Sequence, residues 1–410
     1  MKKSIVFALL FVIFVTAGCA GEKKSNDYAG ILEDMKIEYS LRDDTIGLNA
    51  WWEPATSTED NHLLFVIQSE QAAAVKSLKL NSMCKDMLTC NGIYYDDATF
   101  CRMLQIMLVD YRYRQVYLML SRPQISQERF ERALGAVMET LRNFAPQANV
   151  YLITDDAADA ETAGGMENIR TETYYDYAEL GEILQACTAE ETQAVTSIRP
   201  EGAMEEDYIR TKRENIEWSQ IGFQKASRPD KSPRLLLIGD SISWGYGVYL
   251  NKYLEGYVVD YLRTSRGVDD KALFRELEFL LAQYRYDVIH FNIGLHFHGL
   301  DAEGYAQGMS TLIERLRETE PSAKLYFCNT TGIGKATRHD GYVFDEQASA
   351  PVRERNDKMF EICAEQNIPY LDMYFFVLEN DFTHVDTLHY NEAAYDKMAR
   401  RISEFIKTDK

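Results

Sequence analysis

The sequence predicts an α/β protein built as two domains, and three observations carry that expectation. Short apolar runs of strand length, such as Leu63–Ile67 and Leu235–Ile238, alternate with amphipathic stretches of helical period. That alternation calls for parallel sheets covered on both faces. The 410 residues exceed what one hydrophobic core organises. The second half also echoes the layout of the first at a spacing of roughly 170–175 residues, a period of whole domains and not of a solenoid.

In the first half Leu63–Ile67 reads as a strand. An amphipathic helix from Cys101 leads through Tyr111-Arg112-Tyr113 into a buried strand ending at Leu118. The helix Phe130–Leu141 then passes Ala145-Pro146 to the strand Asn149–Ile153. The second half predicts strands at Leu235–Ile238, Tyr257–Tyr261, Val288–Ile293, Leu325–Cys328 and Tyr370–Met373. Here a helix from Phe274 leads through Tyr284-Arg285-Tyr286 into its strand, and Tyr305–Leu316 passes Glu320-Pro321 into the next. Asn391–Ile406 closes the chain as a helix. These matches suggest a duplicated module whose first copy lost its chemistry; the alternative is chance likeness between two α/β units. Unrelated strand orders in the two halves would refute duplication.

Between the halves, Pro200-Glu201-Gly202 and Arg228-Pro229-Asp230 mark polar breaks, and Glu205–Phe223 has a helical pattern. The expected organisation is an N-terminal α/β domain over 31–200, a connecting helix and linker over 201–230, and a second domain over 231–410.

The chain starts with Lys2-Lys3, an apolar run from Ile5 to Val15, then Thr16-Ala17-Gly18-Cys19. A charged start, a short apolar core and small residues before a cut describe an export signal over 1–18. The run is short for a transmembrane helix. It resembles a bacterial lipoprotein signal in which Cys19 is lipidated, with 19–30 as a polar tether. The implied location is a membrane-anchored lipoprotein, periplasmic or on the cell surface.

Formal net charge is −20, from 64 acidic and 44 basic residues. Such a surface excludes nucleic acid as a partner and argues against charge-driven docking on an anionic bilayer. Hydrophobic residues at 46% supply two cores. The cysteines other than Cys19 are scattered like buried small hydrophobes and not like a disulfide framework, with Cys84 and Cys90 the nearest pair.

The most informative stretch is Leu235-Leu-Leu-Ile-Gly239-Asp240-Ser241. A buried strand there delivers a serine hydroxyl to the carboxyl edge of a sheet, where open α/β folds place ligand sites. Serine alone is a poor nucleophile and needs a base, which needs a partner to hold its tautomer. Asp386-Thr387-Leu388-His389 supplies both. A Gly-Asp-Ser tripeptide occurs in many ordinary turns; its place after four apolar residues, with Asp-x-x-His before a terminal helix, favours catalysis.

These residues resemble the SGNH, or GDSL, hydrolase family over the last 180 or so residues. The resemblance implies a three-layer α/β/α sandwich with a flavodoxin-like parallel sheet, Ser241 as nucleophile, His389 as base and Asp386 as its orienting partner. The oxyanion hole implied by the family takes the backbone N–H groups of Ser241 and of Gly267, in Thr264-Ser265-Arg266-Gly267. Its third donor is normally an Asn two residues after a glycine. Here Gly294-Leu295-His296 puts a histidine in that place, and Asn292 is the other candidate. Asp240, Trp244 and Asn329 are expected to line the substrate pocket, and Tyr246 to present an aromatic face there. His290 and His298 read as structural or surface residues and His384 as a solvated loop residue; alternation along the strand argues against a metal site among His290, His296 and His298.

The resemblance implies a serine esterase acting on short acyl, above all acetyl, esters of carbohydrate, with no metal or organic cofactor. The alternatives are a glycan O-acyltransferase using the same triad and a non-catalytic glycan-binding protein on the same fold.

Overall fold

The computed structural model describes residues 45–52, 62–67, 71–79, 84–91, 98–108, 111, 113–119, 126–166, 168–189, 217–224, 232–296, 301–337 and 341–408. The signal, Cys19, the tether, most of the linker and His298 lie outside the described residues. The described chain falls into two compact units that divide between Trp218 and Ser219.

The second unit opens with β7 (Glu217–Gln224), followed by β8 (Arg234–Gly239), β9 (Val258–Thr264), β10 (Val288–Asn292), β11 (Lys324–Cys328) and β14 (Tyr370–Leu371). Their order in the sheet is β14-β11-β10-β8-β9-β7. All neighbours are parallel except β7, which runs antiparallel to β9. Leu235 to Ile238 are wholly buried, as a strand covered on both faces requires, which is why the sequence reads there as an unbroken apolar run.

The crossovers carry α6 (Ser241–Tyr253), α7 (Lys271–Leu281), α8 (Ala302–Thr319) and α9 (Glu346–Glu365), and α10 (Met373–Glu379) and α11 (Glu392–Lys407) follow the last strand. Right-handed crossovers in this strand order put α6 on one face of the sheet and α7, α8 and α9 on the other. The helix contacts agree, with α6 against α11 and α8 against α9. This is the expected three-layer α/β/α sandwich. Side-chain caps start the helices: Asp270 accepts from Ala272 N, Asp301 from Gly304 N and Asn391 from Ala394 N.

The first unit has β1 (Thr45–Trp52), β2 (His62–Ile67), β3 (Cys84–Asn91), β4 (Tyr113–Leu118), β5 (Asn149–Thr154) and β6 (Ile169–Thr173), in the order β1-β3-β2-β4-β5-β6. Its helices are α1 (Ala72–Ser77), α2 (Ala98–Leu108), α3 (Gln127–Phe144), α4 (Ala157–Gly164) and α5 (Tyr177–Ala189).

Two expectations need correction. Residues 217–224 form strand β7 and not the end of a helix. Its residues are buried up to Phe223, and it hydrogen-bonds antiparallel to β9. The two compact units divide inside this strand, between Trp218 and Ser219. In addition, a two-stranded hairpin, β12 (Gly334–Ala336) with β13 (Tyr342–Phe344), occupies the loop after β11.

Cys84, Cys187, Cys328 and Cys363 are buried and Cys101 is partly buried. Among the described residues no helix is long and apolar enough to cross a membrane.

Candidate active site

β8 ends at Gly239, and α6 starts two residues later directly over the strand end. A Cβ on Gly239 would sit 2.3 Å from Ser243 Oγ and 2.6 Å from Asn292 O, so only glycine permits this turn. Asp240 is the N-cap: its Oδ1 accepts from Ile242 N at 2.9 Å. Ser241 thereby occupies the first helical position, where backbone N–H groups lack intrahelical partners and the helix dipole favours negative charge.

Ser241 Oγ lies 2.8 Å from His389 Nε2, and His389 Nδ1 lies 2.8 Å from Asp386 Oδ2. The structure therefore brings together the three residues singled out from the sequence. Asp386 Oδ1 also accepts from Leu388 N at 2.7 Å and His389 N at 2.8 Å, which closes a tight turn around the carboxylate. Burial alone would raise the Asp386 pKa. The hydrogen bond and charge of His389, with the two backbone N–H groups, more than offset it and hold the carboxyl below its usual range. Ser241 is 8% exposed and His389 1%, so both are buried and the serine keeps a small solvent-facing fraction.

The hairpin braces the loop that carries this pair. Gly334 N donates to Thr387 O at 2.8 Å, and His384 Nε2 pairs with Gly332 O at 3.2 Å. His384 is buried against the Tyr390 ring and is not the solvated loop residue the sequence suggested.

Gly267 stands between β9 and α7, as expected. A Cβ there would lie 2.7 Å from His296 O, so the Gly267 turn and the loop Gly294–His296 touch backbone to backbone. That loop is tied to the Gly239–Ser241 turn, because Leu295 N donates to Asp240 Oδ2 at 3.4 Å. Tyr305 OH donates to Ile293 O and fixes its root. Asn292 is wholly buried, with Nδ2 directed 3.3 Å from Asn329 O.

The Gly267 turn rests on a buried charged network that the sequence reading missed. Arg266 Nε donates to Glu276 Oε1 at 2.7 Å, Arg266 Nη1 reaches Asp270 Oδ2 at 3.1 Å, and Ser219 Oγ donates to Glu276 Oε2 at 2.7 Å. The available signal was an arginine beside the key glycine with an acid on the inner face of the next helix.

Three of the expected pocket residues have other work. Asn329 is 1% exposed and spends its whole amide internally. Its Nδ2 donates to Tyr370 OH and Asp372 Oδ1, and its Oδ1 accepts from Met373 N and Tyr374 N at the start of α10. Asp240 is fully buried as cap and loop anchor. Tyr246 is fully buried on α6 with its ring edge-on to His290 at 6.0 Å, because the helix beginning at Ser241 turns that position onto the sheet. Trp244, on the same helix, is 9% exposed.

The GDSL-like lipase/acylhydrolase family model matches residues 237–397, a span that contains both the Gly239-Asp240-Ser241 turn and the Asp386–His389 loop. The second domain belongs to this family. The GDSL-like domain makes the protein a carboxylic ester hydrolase. Among solved structures, the chain is similar to the aryl esterase of M. smegmatis, at 17% identity over 43% of this chain and 99% of that one, with a TM-score of 0.36. It is also similar to Est24, a carbohydrate acetylesterase from Sinorhizobium meliloti, at 13% identity over 43% of this chain and 100% of that one, TM-score 0.36. A third likeness is to a family two carbohydrate esterase from Clostridium thermocellum, at 14% identity over 46% and 67% of the two chains, TM-score 0.35. No curated protein matches the chain.

Proposed function

We propose that the GDSL-like domain hydrolyses short-chain acyl esters, acetyl esters of carbohydrate above all, through Ser241, His389 and Asp386. The observation that carries this reading is the unbroken chain of 2.8 Å contacts from Ser241 Oγ through the His389 ring to Asp386. His389 Nε2 takes the serine proton as Oγ attacks the acyl carbonyl, and Asp386 holds Nδ1 protonated and steadies the imidazolium that forms. Collapse of the tetrahedral intermediate breaks the bond to the alcohol oxygen, which leaves with the proton returned by His389. Water, deprotonated by the same imidazole, then attacks the acyl-serine and releases the carboxylic acid.

The developing oxyanion receives the N–H groups of Ser241 and Gly267, with His296 as third donor. His296 follows the loop that abuts Gly267, whereas the Asn292 amide faces Asn329. The loop after β11, which carries Lys335 and Thr337 and bonds through Gly334 N to Thr387 O, brings polar groups near the Asp386–His389 turn and suits a hydroxyl-rich alcohol. The signal and Cys19 put this activity on an exported, lipid-anchored protein; labelling of the chain by a radiolabelled fatty acid, abolished in Cys19→Ala, is the expected result.

The deciding test is p-nitrophenyl ester hydrolysis across acyl lengths, followed by acetate release from acetylated glycans, with Ser241→Ala alongside. Turnover of acetyl esters that disappears in the variant supports the proposal. Equal rates in both proteins would refute it and return attention to acyl transfer, read by product analysis with a sugar acceptor, or to glycan binding.

A further inference from the structure

The two units share more than their class. Within each unit the order is one antiparallel strand, then the second, first, third, fourth and fifth parallel strands. The register also corresponds. His62 pairs with Cys84 and Leu64 with Asp86 in the first unit, as Arg234 pairs with Val258 and Leu236 with Asp260 in the second. Gln115 pairs with Leu63 and Asn149, as Val288 pairs with Leu235 and Lys324. The helices before the fourth strands are both 18 residues long and close alike, with Ala145 N on Leu141 O and Glu320 N on Leu316 O.

A buried side-chain clamp recurs at corresponding places. In the second unit Arg234, the first residue of β8, bonds Asp260 at 2.6 Å; Tyr286 OH donates to the same Asp260 oxygen at 3.2 Å, and the guanidinium lies 3.5 Å over the Tyr284 ring. In the first unit His62, the first residue of β2, pairs with Asp86 at 2.8 Å; Tyr113 OH donates to the same Asp86 oxygen at 3.0 Å, and the imidazole stacks 3.5 Å from Tyr111. Four residue pairs, each about 173 positions apart, thus repeat one arrangement. Two unrelated α/β units have no physical reason to place an Asp, two Tyr and a stacked basic side chain in the same register.

We infer that the first domain is a second copy of the hydrolase fold that cannot carry the triad. The missing part is identifiable. After the fifth parallel strand the second unit runs through residues 372–391, which bear Asp386 and His389, before its last helix; the first unit has only residues 174–176 between β6 and α5. Both last helices nonetheless return to the helix that follows the first parallel strand, α5 to α1 and α11 to α6. Three residues leave no loop to hold an Asp-x-x-His pair, and the sequence after β2 reads Gln68-Ser69-Glu70 in place of Gly-Asp-Ser. His62 and Asp86, which resemble part of a catalytic set, are the counterpart of a structural ion pair.

Both parts of this inference are tested on the full chain, and neither rests on the proposed substrate. In an experimental structure the five parallel strands and the four clamp residues of one half should superpose on those of the other; a different strand order or clamp would overturn the duplication. His62→Arg, which installs the second copy's residue, should keep the melting temperature within about 2 °C, while His62→Ala lowers it by several degrees. Equal loss in both variants would count against equivalence. A fluorophosphonate serine probe should modify one residue per chain and none in Ser241→Ala. Labelling of the first domain in that variant would overturn the vacancy, whereas absence of labelling in the wild type would instead count against the proposed triad.

Discussion

Asp240 uses its two carboxylate oxygens on two different loops, capping α6 through Ile242 N and holding Leu295 N at 3.4 Å. One buried side chain thus fixes the nucleophile turn relative to the loop that ends at His296. Asp240→Asn keeps the cap but turns an amide toward the Leu295 N–H whenever its oxygen faces Ile242. The expected outcome is a kcat lower by about 10–100-fold with KM changed far less, because the variant disturbs a geometry needed mainly in the transition state. A parallel rise in KM with unchanged kcat would mean the loop serves binding instead.

Gly267 faces a stricter constraint. An added methyl would press on His296 O at 2.7 Å and Asp269 Oδ1 at 2.5 Å, and a backbone carbonyl cannot swing aside as a side chain can. Gly267→Ala should therefore displace the N–H assigned to the oxyanion and cost about 10²–10³ in kcat, the scale of losing one such donor. His296→Ala should fall in the same range, and Asn292→Ala should act mainly on stability. The reverse order for His296 and Asn292 would transfer the third donor to Asn292.

The pH dependence of stability reports on Asp386. Its folded pKa lies below the unfolded value, so it contributes stability above the unfolded pKa, and this is lost as pH falls through the folded one. Asp386→Asn removes that dependence. Thermal denaturation of variant and wild type should differ most near neutrality and converge in strong acid. A constant difference across that range would show that the carboxylate's charge does not stabilise the fold.

Which parts of this were legible in the sequence follows from local chemistry. β8 was readable because a strand buried on both faces is an unbroken apolar run, and Ser241, Asp386 and His389 because those residue types are scarce together at those spacings. β3 was not, since Lys85 and Asp86 interrupt its apolar pattern, and Asp86 is there for the His62 clamp. β7 was not legible because the polar Ser219 and Gln220 interrupt its apolar pattern, although both are buried in the fold. Asn329 follows a strand end, as ligand-binding residues do, but its amide is consumed in starting α10. A spacing identifies candidates; the hydrogen-bond capacity left over after folding decides which of them face a substrate.

His290 provides a second acid sensitivity of the same sign, set by a neutral group and not by a charged one. It is fully buried in β10 beneath α6, and burial pushes its pKa down to about 3, so it is neutral in the folded protein. An unfolded histidine titrates near 6.5. Between those values the unfolded chain binds a proton that the folded chain does not, so stability falls with decreasing pH by about 1.4 kcal/mol per unit. At pH 5 this amounts to about 2 kcal/mol relative to neutral pH. Replacing His290 with Leu, close in volume and without a proton to take up, should leave esterase activity unchanged and reduce the loss of stability between pH 7 and pH 5 by that amount. Chemical denaturation at the two pH values measures it directly. An unchanged pH dependence in His290→Leu would mean the imidazole is charged or solvated in the folded state, and the packing of α6 on β10 would need revision.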